Sequence, residues 1–124
     1  MKFRYKLFSM NALMSAVLFF AVPYASAHAR PKVMVPAADS VVTSPAIVSI
    51  TFSEAVESKF SSLNVTDEQG TKKFNTASSA PLANDPKTLT LALPLLRPGG
   101  YLVHWVSVAV DGHRMEGEYK FTVK

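Results

Sequence analysis

Apolar and polar residues alternate along most of the chain in short runs separated by turn residues. Lys32–Val35 is a brief apolar segment closed by Pro36 and the polar pair Asp39-Ser40. Ile47–Phe52 alternates strictly, as do Leu63–Val65 and Leu89–Leu93, the last ending at Pro94. Lys72–Phe74 is a weaker segment, and Tyr101–Val106 and Tyr119–Val123 complete the set. A period of two with β-branched and aromatic residues, bounded by Pro, Gly, Asn and Asp, predicts strands, and no stretch sustains a helical period. Pro98-Gly99-Gly100 and Asp111-Gly112 are the clearest turn signals. About seven strands in one short chain predict an all-β fold, a small antiparallel Greek-key sandwich or barrel.

The first 27 residues break this pattern. Lys2, Arg4 and Lys6 precede an apolar run over residues 12–22, followed by Pro23 and the small residues Ala25-Ser26-Ala27. This is the layout of a secretory signal peptide cleaved after Ala27. An uncleaved membrane anchor is the alternative, but the run falls short of the roughly 20 apolar residues a permanent span needs. A rival cleavage pattern, Ala27-His28-Ala29, would leave Arg30 first. Cleavage after Ala27 leaves a single 97-residue domain, 28–124, beginning at His28 and delivered across the inner membrane, most simply to a bacterial periplasm.

The whole chain of 124 residues carries a formal charge of +4, which would invite a nucleic-acid reading. Three of its 13 basic residues lie in the leader, so the remaining ten face nine acidic ones. No basic run longer than Lys72-Lys73 survives and no aromatics are interleaved with it, so nucleic acid is excluded as a partner. Cysteine is absent, which removes disulfides, thiolate metal centres and cysteine nucleophiles.

The chain's three histidines are His28, His104 and His113. At a processed terminus His28 offers its α-amine and its imidazole to one metal ion, closing a chelate ring. A second imidazole and a carboxylate would complete a tetragonal nitrogen and oxygen set of the kind that suits Cu(II). At neutral pH deprotonating the amine costs about 1 kcal/mol, little beside a chelated metal's binding energy. Asp111-Gly112-His113 supplies those donors, because residues two apart can project to one side and Gly permits the tight turn. Taken alone, that tripeptide is more often just a hairpin turn. His104 alternates with Val103 and Trp105 and is expected to face solvent, outside the site. Glu54 reads as a solvated turn carboxylate, and Met34 and Met115 as core or gap-filling residues.

With these segments in view the chain resembles the CopC family of periplasmic copper-binding proteins, including its shorter YobA-like members. The resemblance rests on Ala27-His28-Ala29, Val35-Pro36 through Ser40, Ile50–Val56, and Pro98–Trp105 running into Ser107, Asp111-Gly112-His113 and Gly117–Val123. It implies a β-sandwich of cupredoxin-like or immunoglobulin-like topology with one Cu(II) ion at one end. The ligands carried over by position are His28, Asp111 and His113, with Glu54 beside the metal as a weak ligand or a partner of the ligands. Family members with a methionine-rich loop bind Cu(I) there. The corresponding stretch, residues 67–78, has neither Met nor His, so no separate Cu(I) site is expected.

The resemblance thus implies a protein that sequesters Cu(II) or passes it to a CopD-type inner-membrane protein, and that is not an enzyme. Two alternatives stay open. One is a histidine-brace copper oxidase or monooxygenase, disfavoured by the short chain, by Trp105 as the sole tryptophan and by a carboxylate donor that resists reduction of Cu(II). The other is a metal-free sandwich used for interaction, favoured if processing left Arg30 first.

Overall fold

A computed structural model describes residues 28–124, so the expected signal peptide lies outside the described residues. Eight strands form two four-stranded sheets, with no helix among the described residues. β1 (Pro31–Val35), β3 (Ile47–Phe52), β6 (Asp85–Ala92) and β5 (Ala80–Leu82) make the first sheet, in that spatial order. The second runs β2 (Val41–Val42), β8 (Arg114–Val123), β7 (Gly99–Val108), β4 (Ser62–Asp67). Lettered A, A′ and B to G in chain order, the sheets are ABED against CFG with A′ added, the strand order of an immunoglobulin-type sandwich. A corner typical of that fold is also present. Tyr101, near the start of strand F, donates its hydroxyl to the Arg97 carbonyl at 2.7 Å.

The core follows from the alternation. Val48, Ile50 and Phe52 of β3 meet Leu89 and Leu91 of β6 on one side, and Leu63, Val65, Val103, Phe121 and Val123 of the other sheet on the other side. Tyr101 stacks on Phe121 with ring centroids 5.6 Å apart, and Phe52 meets Trp105 edge-on at 5.9 Å. The Trp105 ring lies over Gly117, its cross-strand partner, where an added Cβ would come within 2.7 Å of the indole. Gly117 is therefore required by packing, with the ring occupying the space a side chain would fill.

The architecture refines the expected one in three places. β2 pairs with β8 in parallel, so the second sheet is mixed and not purely antiparallel. Lys72–Phe74 is no strand: it touches β4 through a single bridge, Thr66 to Lys73. The short strands β2 and β5 bring the total to eight. No helix among the described residues is long and apolar enough to cross a membrane.

One end of the sandwich gathers the chemistry-bearing residues for a topological reason. β7 and β8, ten residues each, form a hairpin whose connection, 109–113, contains Asp111-Gly112-His113. The chain enters β1 at that same end, and β3 leaves the sheet there into Ser53 and Glu54.

Candidate metal centre

The hairpin connection is closed by its own backbone. Ala109 N–H donates to the His113 carbonyl at 2.9 Å and Gly112 N–H donates to the Ala109 carbonyl at 2.8 Å. Gly112 has φ of 90°, in the left-handed region that glycine enters without strain. The Asp111 carboxylate accepts the His113 backbone N–H at 3.1 Å, and its other oxygen lies 2.7 Å from His113 Nδ1. Asp111 is thereby held below the ordinary carboxylate range, chiefly by the His113 backbone N–H and next by the His113 ring, with His28 adding a smaller charge effect. With Nδ1–H given to Asp111, the Nε2 lone pair of His113 remains available for a metal.

His28 reaches this turn from the far side of the sequence. Its ring stands edge-on to that of His113, the centroids 5.1 Å apart. The arm that carries it is fastened by two serines. Ser53 Oγ donates to the His28 carbonyl at 3.0 Å and accepts the Arg30 N–H at 3.0 Å, while Ser53 N–H donates to the Arg30 carbonyl at 2.7 Å. The fully buried Ser107 on β7 donates to the Ala29 carbonyl at 2.6 Å, and Ala29 itself is fully buried. These bonds fix the peptide planes that follow His28.

Glu54 follows the clamp. Together with Ala55, Ala109, Val110 and Asp111 it lines a shallow cavity of about 290 Å³. The segment is docked to the end of β7 by the Val56–Ala109 bridge and by Glu57 N–H donating to the Val108 carbonyl at 2.8 Å. The structure thus places all four expected residues at one pole and sets them in pairs: His28 with His113, Asp111 with His113, Glu54 with Asp111 across the cavity. Among the described residues no three His, Asp or Glu side chains converge on a common point, because Asp111 is turned onto the His113 ring.

His104 lies elsewhere, on the outer face of the second sheet. Its Nδ1 is 3.1 Å from Glu118 and its Nε2 is 3.0 Å from the Thr66 hydroxyl, so both ring nitrogens are engaged. Sequence reasoning missed Ser53 and Ser107. Both lie in segments that carry the family resemblance, but the clue to their role was position, one directly after a strand's last apolar residue and the other on the inward face of β7.

Ser107→Ala should show how much the clamp contributes. It leaves the Ala29 carbonyl buried without its donor, a loss of about 1–3 kcal/mol in a urea unfolding titration. A loss under about 0.5 kcal/mol would mean the arm is held by packing and the Ser53 bonds without help from Ser107.

The chain is similar to known proteins over most of its length. The CopC domain family model matches residues 32–124. Protein YobA of Escherichia coli K12 is 39% identical over 106 residues, covering 82% of this chain and 83% of that protein. Copper resistance protein C of Escherichia coli is 36% identical over 122 residues, covering 92% and 96%. Among solved structures, CopC from Methylosinus trichosporium OB3b superposes with a TM-score of 0.71 at 36% identity, covering 78% of this chain and 94% of its own. PcoC, a methionine-rich copper resistance protein from Escherichia coli, gives 0.66 at 38% identity, covering 79% and 100%.

Proposed function

The chain belongs to the CopC family, and from that premise we propose that it is a periplasmic protein that binds one Cu(II) ion as cargo. In this reading the ion sits at the pole where His28 and His113 meet. The observation that carries it is their 5.1 Å ring separation, because nothing local in the chain requires two residues 85 positions apart to meet there. His28 supplies its imidazole and, once the leader is removed, its α-amine. His113 supplies Nε2, and Asp111 is ionised at neutral pH and holds the His113 ring in place while offering a carboxylate to the metal. Glu54 stands across the small cavity from Asp111, close enough in the fold to tune the site or complete it.

These donors are nitrogen and carboxylate oxygen, and they suit Cu(II) better than Cu(I). The role that follows is sequestration or delivery, with a CopD-type membrane protein as receiver, and no catalysis. No second, Cu(I) site is part of this reading. The segment 67–78 offers no thioether, Met34 packs against the core and Met115 is half-buried on β8.

The test starts from the exported protein. Intact mass should give a chain beginning at His28. Cu(II) titration followed by electron paramagnetic resonance should give one equivalent of a tetragonal centre with nitrogen couplings. A variant with one residue added before His28 should lose most of that affinity, since its first amine is displaced from the imidazole. Equal binding by both forms, or a mature chain beginning at Arg30, would overturn the reading and favour a metal-free interaction module. A reversible Cu(II)/Cu(I) couple with peroxide-driven oxidation of a polysaccharide would move it to the oxidative enzymes.

A further inference from the structure

A cavity of about 540 Å³ lies at the pole opposite the proposed copper residues. It lies between the segment that follows β4 and the loop that leads into β7. Lys72, Lys73 and Arg97 stand around it, Phe74 and Tyr101 form an aromatic wall, and Leu95 projects from its rim with 92% of its surface exposed. No acidic side chain lines it.

The neighbouring acids are already committed. Asp67 accepts the Thr71 N–H and hydroxyl, each at 2.6 Å, and the Lys72 N–H at 3.2 Å. Its carboxyl is held below the usual range, chiefly by the Thr71 hydroxyl. Glu68 is paired with Lys120. None of the four ion pairs among the described residues includes Lys72, Lys73 or Arg97. Lys72 has instead its ammonium 5.1 Å from the Phe74 ring centroid. In a domain whose remaining charges nearly balance, three unpaired cations around one cavity are a concentrated positive field.

The walls are also built to stay open. Phe74 meets Tyr101 edge-on at 5.2 Å, Tyr101 is tied to the Arg97 carbonyl, and Thr76 donates to the Ala92 carbonyl at 3.1 Å. Leu96, beside the exposed Leu95, is buried and donates its N–H to Ser44 Oγ at 2.8 Å. A groove braced in this way needs little ordering when a partner enters.

We propose that this groove docks an acidic segment of a partner protein, one that carries carboxylates flanking an apolar side chain. The cations would meet the carboxylates, and Phe74, Leu95 and Tyr101 the apolar group. A single inorganic anion would leave most of the cavity and its aromatic wall unused. Ten residues of β7 separate the groove from the hairpin turn, about 30 Å at strand spacing, so a partner held here leaves the copper pole uncovered. The proposal does not depend on the copper reading.

The test uses the exported protein with 15N labelling and an acetylated peptide of four glutamates around one phenylalanine. Amide shifts should concentrate at Lys72–Asn75 and Leu95–Tyr101, and binding should weaken severalfold as NaCl rises from about 50 to about 200 mM. K72E/K73E/R97E should cut affinity by about tenfold or more. K72Q/K73Q/R97Q should fall between it and the parent, which guards against misfolding of the reversed form. K32E/K59E, placed elsewhere on the surface, should bind as the parent does. Unchanged affinity in the reversed groove, or equal loss in K32E/K59E, would overturn the proposal. So would phosphate alone binding the same amides equally tightly, or capture by phosphatidylglycerol vesicles in preference to the peptide.

Discussion

His113→Ala should reduce Cu(II) affinity by more than about a hundredfold while leaving the fold intact. The side chain is well exposed and its ring makes no core contact, so folding loses the bond to Asp111 and the edge-on contact with the His28 ring. The proposed copper site loses an imidazole and the residue that orients Asp111. Groups that merely orient a ligand are worth about 10–100-fold in metal affinity, so removing the ligand itself should exceed that range. Asp111→Asn should reach about a hundredfold or more, because the amide keeps an acceptor for the His113 backbone N–H but no longer offers the metal a carboxylate. His104→Ala is the matching control. Its ring is held by Thr66 and Glu118 on the outer sheet face, and copper affinity should not change. Competition titrations against a chelator of known affinity, with unfolding curves run in parallel, would read all three. A His113→Ala protein that binds like the parent would remove the hairpin turn from the site altogether.

The turn's local geometry was readable and the clamp was not, and both facts have the same physical origin. Asp111-Gly112-His113 was legible because its geometry is local: a two-residue spacing and a glycine at positive φ suffice to bring carboxylate and imidazole together. His28 was legible by its position after the expected leader and by family resemblance. Ser53 and Ser107 were not, because they act on backbone carbonyls 25 and 78 residues away, and a serine leaves no mark in a hydrophobic pattern.

The strands divide the same way. Ile47–Phe52 was readable to the residue, since one face is buried and the alternation is strict. β2 and β5 have two and three residues, and one contains Pro81; the neighbouring strand, not their own pattern, makes them strands. Lys72–Phe74 looks strand-like in sequence, but the Asp67 side chain caps the turn before it and takes the N–H groups of Thr71 and Lys72. The same turn brings Lys72 and Lys73 toward Arg97 from another loop, which a search for basic runs along the chain could not register.

Phe52→Ala should be the most damaging single change to the fold, costing about 3–5 kcal/mol of the 5–15 kcal/mol typical of such a domain. Phe52 is 1% exposed, ends β3 and packs edge-on against Trp105, so truncation opens a cavity between the two sheets. For a domain near 100 residues, 1 kcal/mol shifts Tm by about 4–8 °C, so the midpoint should fall by more than about 12 °C. Trp105 is the sole tryptophan, and its emission should move to the red as water reaches the indole. The damage should also reach the copper pole. Ser53 follows Phe52 directly and holds both ends of the 28–30 arm, so a loosened β3 end releases His28. Cu(II) that binds the native chain but not the unfolded one raises stability with the logarithm of its concentration over its dissociation constant. At equal copper, the Phe52→Ala protein should therefore gain less Tm than the parent. Equal gains would show that the arm keeps its position without the core beneath it, and that the serines alone set the site.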